Sequence, residues 1–127
     1  GIIFNGHTYQ KLFFNDLSQA KHSVVISATR LWLSKHSPIL DMLKELSARG
    51  VEVFVLVKNN TEKEERLKET GIRTKVIDSL SMDAVIIDKS LIWYGSVNYL
   101  GYNTDENNAI RISDSKVADQ ILEVLYT

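Results

Sequence analysis

Apolar residues recur at helical spacing across residues 8–20, where Tyr9, Leu12, Phe13, Leu17 and Ala20 share one face. That period predicts an amphipathic helix. The run from His22 to Ala28 is rich in β-branched residues and predicts a strand. Ser37 and Pro38 supply a cap and a proline in the first helical position, so a second helix opens there. It carries Ile39, Met42, Leu43 and Leu46 on one face and stops near Gly50, a residue suited to a left-handed C-terminus. Val51 to Val57 is almost continuously apolar, which predicts a strand covered on both faces, as in a parallel sheet between helices.

The second half is more polar. Thr61 and Glu64 have the spacing of a capping box for a short helix ending at Gly71. Strands are predicted near 73–77, 84–87, 91–94 and 109–112. Asp114 then caps a closing helix bearing Val117, Ile121, Val124 and Leu125. The order α-β-α-β-α-β-β-β-β-α predicts an α/β fold with a mixed sheet between helical layers. With one proline, no linker-like stretch and no internal repeat, residues 1–127 read as a single domain. Gly1 stands where an initiator methionine would be, so processing or a piece cut from a longer protein is expected.

Composition narrows the function classes. Apolar residues make up 44% of the chain and charged residues 24%, the proportions of a globular domain. No apolar run approaches the roughly 20 residues of a membrane span. The absence of cysteine excludes disulfides and thiolate metal sites and leaves a cytoplasmic setting as the expectation. A net charge of −1 argues against a strong, sequence-blind grip on nucleic acid. The charge is uneven, however: residues 1–60 hold seven Lys/Arg against four Asp/Glu, and residues 61–127 hold eight against twelve. A polyanion would therefore prefer the first half.

Residues 81–98 read SMDAVIIDKSLIWYGSVN. With the preceding helix-strand-helix order and the ARGVEVFVLV segment, this stretch resembles the phospholipase D superfamily over nearly the whole chain. That family carries a His, a Lys two positions on and an Asp five positions further, followed by a Gly-Ser-x-Asn segment. Asp88 matches the family Asp, and Gly95, Ser96 and Asn98 match the Gly, Ser and Asn. Ser81 stands at the His position and Asp83 at the Lys position, so the resemblance implies a degenerate catalytic motif. WYGSVNYLGYNTDENNAIRI also resembles the version of this domain found at the C-terminal ends of some bacterial superfamily 1 DNA helicases.

In the family the His attacks phosphorus and forms a covalent intermediate, a second His protonates the leaving group, and Lys and Asn bind the phosphoryl oxygens. A serine hydroxyl does not replace an imidazole that is substantially neutral near pH 7. The resemblance therefore implies a non-catalytic accessory domain of a DNA-processing protein, such as a helicase, that binds nucleic acid or mediates assembly. Because single-motif members pair across a two-fold axis, it also implies a homodimer, or failing that a partner domain of the parent. Two other readings stay open: a phosphodiesterase or nuclease using displaced residues, and an interaction module with no phosphate site.

Candidate ligand residues follow from the strand ends. The loop after the first strand carries Arg30, Trp32 and Lys35, and Lys58 follows the second. If those strands are parallel, both loops reach the carboxyl edge, where open α/β sheets bind ligands. Arg30, Lys35 and Lys58 suit phosphates, and Trp32 suits base stacking, although core filling by Leu31 and Trp32 is the favoured expectation. Ser96 and Asn98 are suited equally to a phosphate and to holding a turn. Asp83, Asp88 and Glu106 have the carboxylate chemistry of hard-metal ligands, but Asp88 is expected to pack under the Gly-Ser turn, and neither metal nor cofactor is predicted. His7, His22 and His36 are isolated and read as ordinary histidines.

Overall fold

The computed structural model describes residues 2–33, 37–58, 65 and 67–126. Lys35, His36 and the expected capping box at Thr61 and Glu64 lie outside the described residues. The elements are β1 (Ile2–Asn5), α1 (Gln10–Ser18), β2 (Ser23–Ala28), α2 (Pro38–Ala48), β3 (Glu52–Val57), β4 (Arg73–Val76), β5 (Ala84–Ile87), β6 (Leu91–Gly95), β7 (Asn108–Ser113) and α3 (Ser115–Tyr126). The described strands form one sheet in the order β1-β7-β6-β5-β2-β3-β4. β2, β3 and β4 are mutually parallel, and the other pairings are antiparallel.

The alternation of side chains along the strands divides the core in two. Val24, Ile26, Val53, Val55, Val57, Val85, Ile87 and Trp93 meet Phe13 and Leu17 of α1 and Leu43 and Leu46 of α2. On the other face Leu56, Ile86 and Ile92 pack with Ala118 and Leu125 of α3. β3 is thus sandwiched, as its apolar run predicts. Each fully buried Leu of α2 contributes about 1.5–3 kcal/mol of transfer free energy.

Local signals act much as the sequence predicts. Gly50 follows α2 and Gly71 follows a short helical stretch at 67–69, both at positive φ, and the Asp114 carboxylate accepts from the backbone N–H groups of Lys116 and Val117. Ser37 has the extended backbone of a cap, but its side chain makes no capping hydrogen bond.

Two expectations need correction. β1 is an additional strand: it is four residues long, with Ile2 and Ile3 exposed, and its antiparallel pairing with β7 defines it. Val124 lies on the apolar stripe of α3, yet it is 60% exposed. Among the described residues no helix is long and apolar enough to cross a membrane.

Candidate functional site

Sheet register gathers most of the polar loops at one edge. The parallel strands β2, β3 and β4 end there. Ala84 pairs with Ser27 and Tyr94, so β5 begins and β6 ends there as well. Gly95 pairs with Ala109 and Asn5 with Asn108, which brings the start of β7 and the end of β1 to the same edge. Arg30, Trp32, Lys58, Ser81, Asp83, Ser96 and Asn98 therefore share one side of the sheet, although far apart in sequence.

Asp88 is at the other end of β5, about 13 Å away along four strand residues. This corrects its expected place under the Gly-Ser turn. Its carboxylate accepts from the backbone N–H groups of Lys21 (3.1 Å), His22 (2.7 Å) and Ser23 (3.1 Å). It fastens the start of β2 to the β5–β6 hairpin, where Asp88 and Lys89 both have positive φ. Partial burial pushes its pKa up, but these N–H groups outweigh that and hold it below the usual carboxylate range. Asp83 and Asp88, on opposite edges, do not share a metal site.

At the loop edge the Asp83 carboxylate accepts from the backbone N–H of Thr29 at 2.9 Å and from its hydroxyl at 3.0 Å. The buried Ser27 hydroxyl donates to the Met82 carbonyl and accepts from the Ala84 N–H, pinning the 82–84 segment to β2. Ser81 is exposed beside this anchor.

The Gly95 to Asn98 segment is fixed by backbone demands. Gly95 has φ +135°, and a Cβ there would collide with the carbonyl oxygen of Asn108, so only glycine fits. Ser96 is exposed, and its hydroxyl oxygen accepts from the Asn108 N–H at 2.9 Å. Asn98 is only 3% exposed. Its amide donates to the Arg30 carbonyl at 2.8 Å, and its Oδ1 accepts from the Leu100 N–H at 3.0 Å. Asn103 closes on the Asn98 backbone from the other side, at 2.7 and 2.8 Å. Asn98 thus ties the loop after β2 to the loop after β6.

That tie builds a pocket of about 380 Å³ lined by Arg30, Trp32, Asn98 and Tyr102. Leu31 turns into the core, as expected, but Trp32 is 68% exposed, correcting its predicted core role. Its backbone N–H donates to the Leu100 carbonyl. Tyr102, 76% exposed, is a pocket residue that sequence reasoning missed. Its one sequence signal is an aromatic between Gly101 and the polar run from Asn103 to Asn107. The Tyr99 phenol, packed against Tyr9 and Phe13, is buried with no hydrogen-bond partner among the described residues. Burial pushes its pKa well up, with smaller upward pushes from Tyr9 and Asp83.

An open α/β sheet with its polar loops collected at one end of its parallel strands places the chain in the open-sheet α/β class, whose members commonly bind ligands at that edge. Within that class the chain belongs to the phospholipase D-like family: residues 13–126 match the family described as "Cardiolipin synthase, PLD-like domain". Among solved structures it is similar to Nuc of Salmonella typhimurium, a phospholipase D family member. That match has a TM-score of 0.77 at 20% identity and covers 98% of this chain and 91% of that one. NucT from Helicobacter pylori matches with a TM-score of 0.73 at 17% identity, covering 98% and 92%. TrmBL2, described as an archaeal chromatin protein with a novel mode of DNA binding, matches at 0.72 and 14%, covering 98% of this chain and 50% of that one. A curated relative, replicase polyprotein 1ab of lactate dehydrogenase elevating virus (strain Plagemann), is 26% identical over 98 residues, and this chain spans 3% of its length.

Proposed function

We propose that this chain is a non-hydrolytic phospholipase D-like domain that binds nucleic acid at its loop edge, within a larger DNA-processing protein such as a helicase. The observation that carries this reading is the state of Asp83. It occupies the position matched to the family Lys, and Thr29 holds it with two hydrogen bonds. Replacing a cation by an anchored carboxylate moves the local charge by two units. Each unit acts on a phosphoryl oxygen with about 4 kcal/mol at 4 Å and an effective dielectric near 20. Ser81 supplies no imidazole beside it, and the Asn98 amide is engaged by the Arg30 carbonyl. Arg30 and Lys58 remain as cations at the same edge. The helicase-like WYGSVNYLGYNTDENNAIRI segment supports a DNA-processing parent, and the fold shared with a DNA-binding chromatin protein is consistent with it. Pairing of two copies across a two-fold axis, implied by the single motif, belongs to the same reading.

Two assays test it. Purified protein cleaves neither bis(p-nitrophenyl) phosphate nor single-stranded DNA, with or without Mg²⁺; turnover that disappears in Ser81→Ala overturns the non-hydrolytic reading. DNA binds at low salt with a Kd between roughly 1 and 100 µM, and for duplex its log–log salt slope is about three, one phosphate contact for each of the candidate cations Arg30, Lys35 and Lys58. Arg30→Glu combined with Lys58→Glu abolishes that binding. No detectable DNA binding would instead make the domain an interaction module.

A further inference from the structure

Two large aromatic side chains open into one pocket at the loop edge, and neither belongs to the motif positions. Trp32 is 68% and Tyr102 76% exposed, and Arg30 lines the same pocket. Aromatics that serve only packing are turned inward, as Trp93 is, with Tyr9 and Phe13 around it.

The backbones beneath these rings are fixed. The Trp32 N–H donates to the Leu100 carbonyl, and Asn98 bridges the Arg30 carbonyl and the Leu100 N–H. A Cβ on Gly101 would collide with the Asn98 amide and would lie 3.1 Å from the Trp32 Cβ. The missing side chain at Gly101 therefore lets the Tyr102 loop close against Trp32.

We propose that Trp32 and Tyr102 form an aromatic clamp for an unpaired nucleobase, so that this edge takes single-stranded in preference to duplex nucleic acid. The inference rests on the nucleic-acid reading above and specifies its ligand. A base offers its π-face to a protein ring only when it is unstacked, and stacking on aromatic side chains is tolerant of sequence. The volume of about 380 Å³ is near the lower end of the roughly 300–1,000 Å³ typical of small-ligand pockets. It suits one or two flat rings. Arg30 provides the complementary charge for the flanking phosphate. Of the acidic groups at this edge, Asp83 is held by Thr29, Asp105 lies 2.6 Å from His7, and Asp78, just beyond β4, is exposed. Glu106 is exposed on the same loop as Tyr102 and limits affinity.

The two tryptophans make the test direct, because Trp93 is fully buried and Trp32 is exposed. At low salt, oligothymidylate quenches the intrinsic fluorescence, and Trp32→Phe removes the quench. Trp32→Ala and Tyr102→Ala each weaken oligothymidylate binding about tenfold and leave duplex binding unchanged, whereas Trp32→Phe retains most of the affinity. Arg30→Glu weakens both. Near-ultraviolet dichroism from Trp93 verifies that each variant is folded. If Arg30→Glu weakens binding but both alanine variants bind like the parent, the clamp is wrong and the nucleic-acid reading stands. Equal affinity for duplex and single strand also overturns the clamp. No binding to either overturns both, as does quenching of Trp32 by anionic phospholipid vesicles alone.

Discussion

At the scale of single residues, neighbours in sequence have opposite fates. Leu31 is 3% and Trp32 68% exposed, because the chain leaves β2 over the sheet edge and only one of the two side chains faces the core. Asp88 shows how a single carboxylate serves the fold. Three backbone N–H groups converge on it, and their favourable interaction requires the charged form. Its folded pKa lies below the ordinary value of 3.8. The unfolded chain therefore takes up the proton first as pH falls. The stabilisation from Asp88 is complete above about pH 5 and is lost as pH drops through the depressed folded value. Asn tolerates the left-handed backbone at this position, so Asp88→Asn isolates the charge. It is expected to cost about 1–2 kcal/mol at neutral pH, with the difference from the parent shrinking on acidification. Urea unfolding at neutral and acid pH checks this; an undiminished difference at acid pH contradicts it.

At the scale of elements, one carboxylate joins α1 to the antiparallel half of the sheet. Asp16, 8% exposed, accepts from Trp93 Nε1 at 2.8 Å and from Arg111 Nε and an Arg111 terminal nitrogen at 2.7 and 3.1 Å. The Asp16 hydrogen bond holds the Arg111 guanidinium above its usual pKa. Removing Asp16 leaves a buried indole N–H and a half-buried guanidinium without their acceptor. Asp16→Ala is therefore expected to destabilise the protein by about 3 kcal/mol, read as a lowered denaturation midpoint with the slope unchanged. A loss below about 0.5 kcal/mol, the usual range for a surface site, contradicts the tie. Asp16 has no sequence signal beyond being a polar residue within an apolar helix face.

At the scale of the whole molecule, the seven strands of the described residues, in the order β1-β7-β6-β5-β2-β3-β4, bring basic, aromatic and acidic loops to one edge. A net charge of −1 spread over that arrangement leaves little long-range attraction for a polyanion. The proposed nucleic-acid binding would then depend on local contacts and on the number of copies that present them. Two copies paired across a two-fold axis would double those contacts on one strand, raising avidity without any new interaction. Sedimentation at increasing protein concentration is expected to show a dimer. A monomer at every concentration removes the pairing and confines the ligand to one subunit.

The sequence by itself determined what depends on neighbours a few residues away. Helical spacing in 9–20, 39–46 and 117–125 and apolar runs such as Val51–Val57 largely specify which face of each element is buried. Asp114 and Gly50 mark element ends through local hydrogen bonding and local backbone freedom. The loop-edge location of Arg30 and Lys58 followed once β2 and β3 were taken as parallel. What only the tertiary structure decided depends on pairings across the fold. Asp88 meets Lys21 across 67 residues, and Asn98 meets Arg30 across 68. β1 is a strand because β7 offers an unpaired edge. Tyr102 faces the pocket because Gly101 permits close approach to Asn98 and Trp32. Local periodicity carries no information about which distant strand lies alongside, and that choice set the contents of the site.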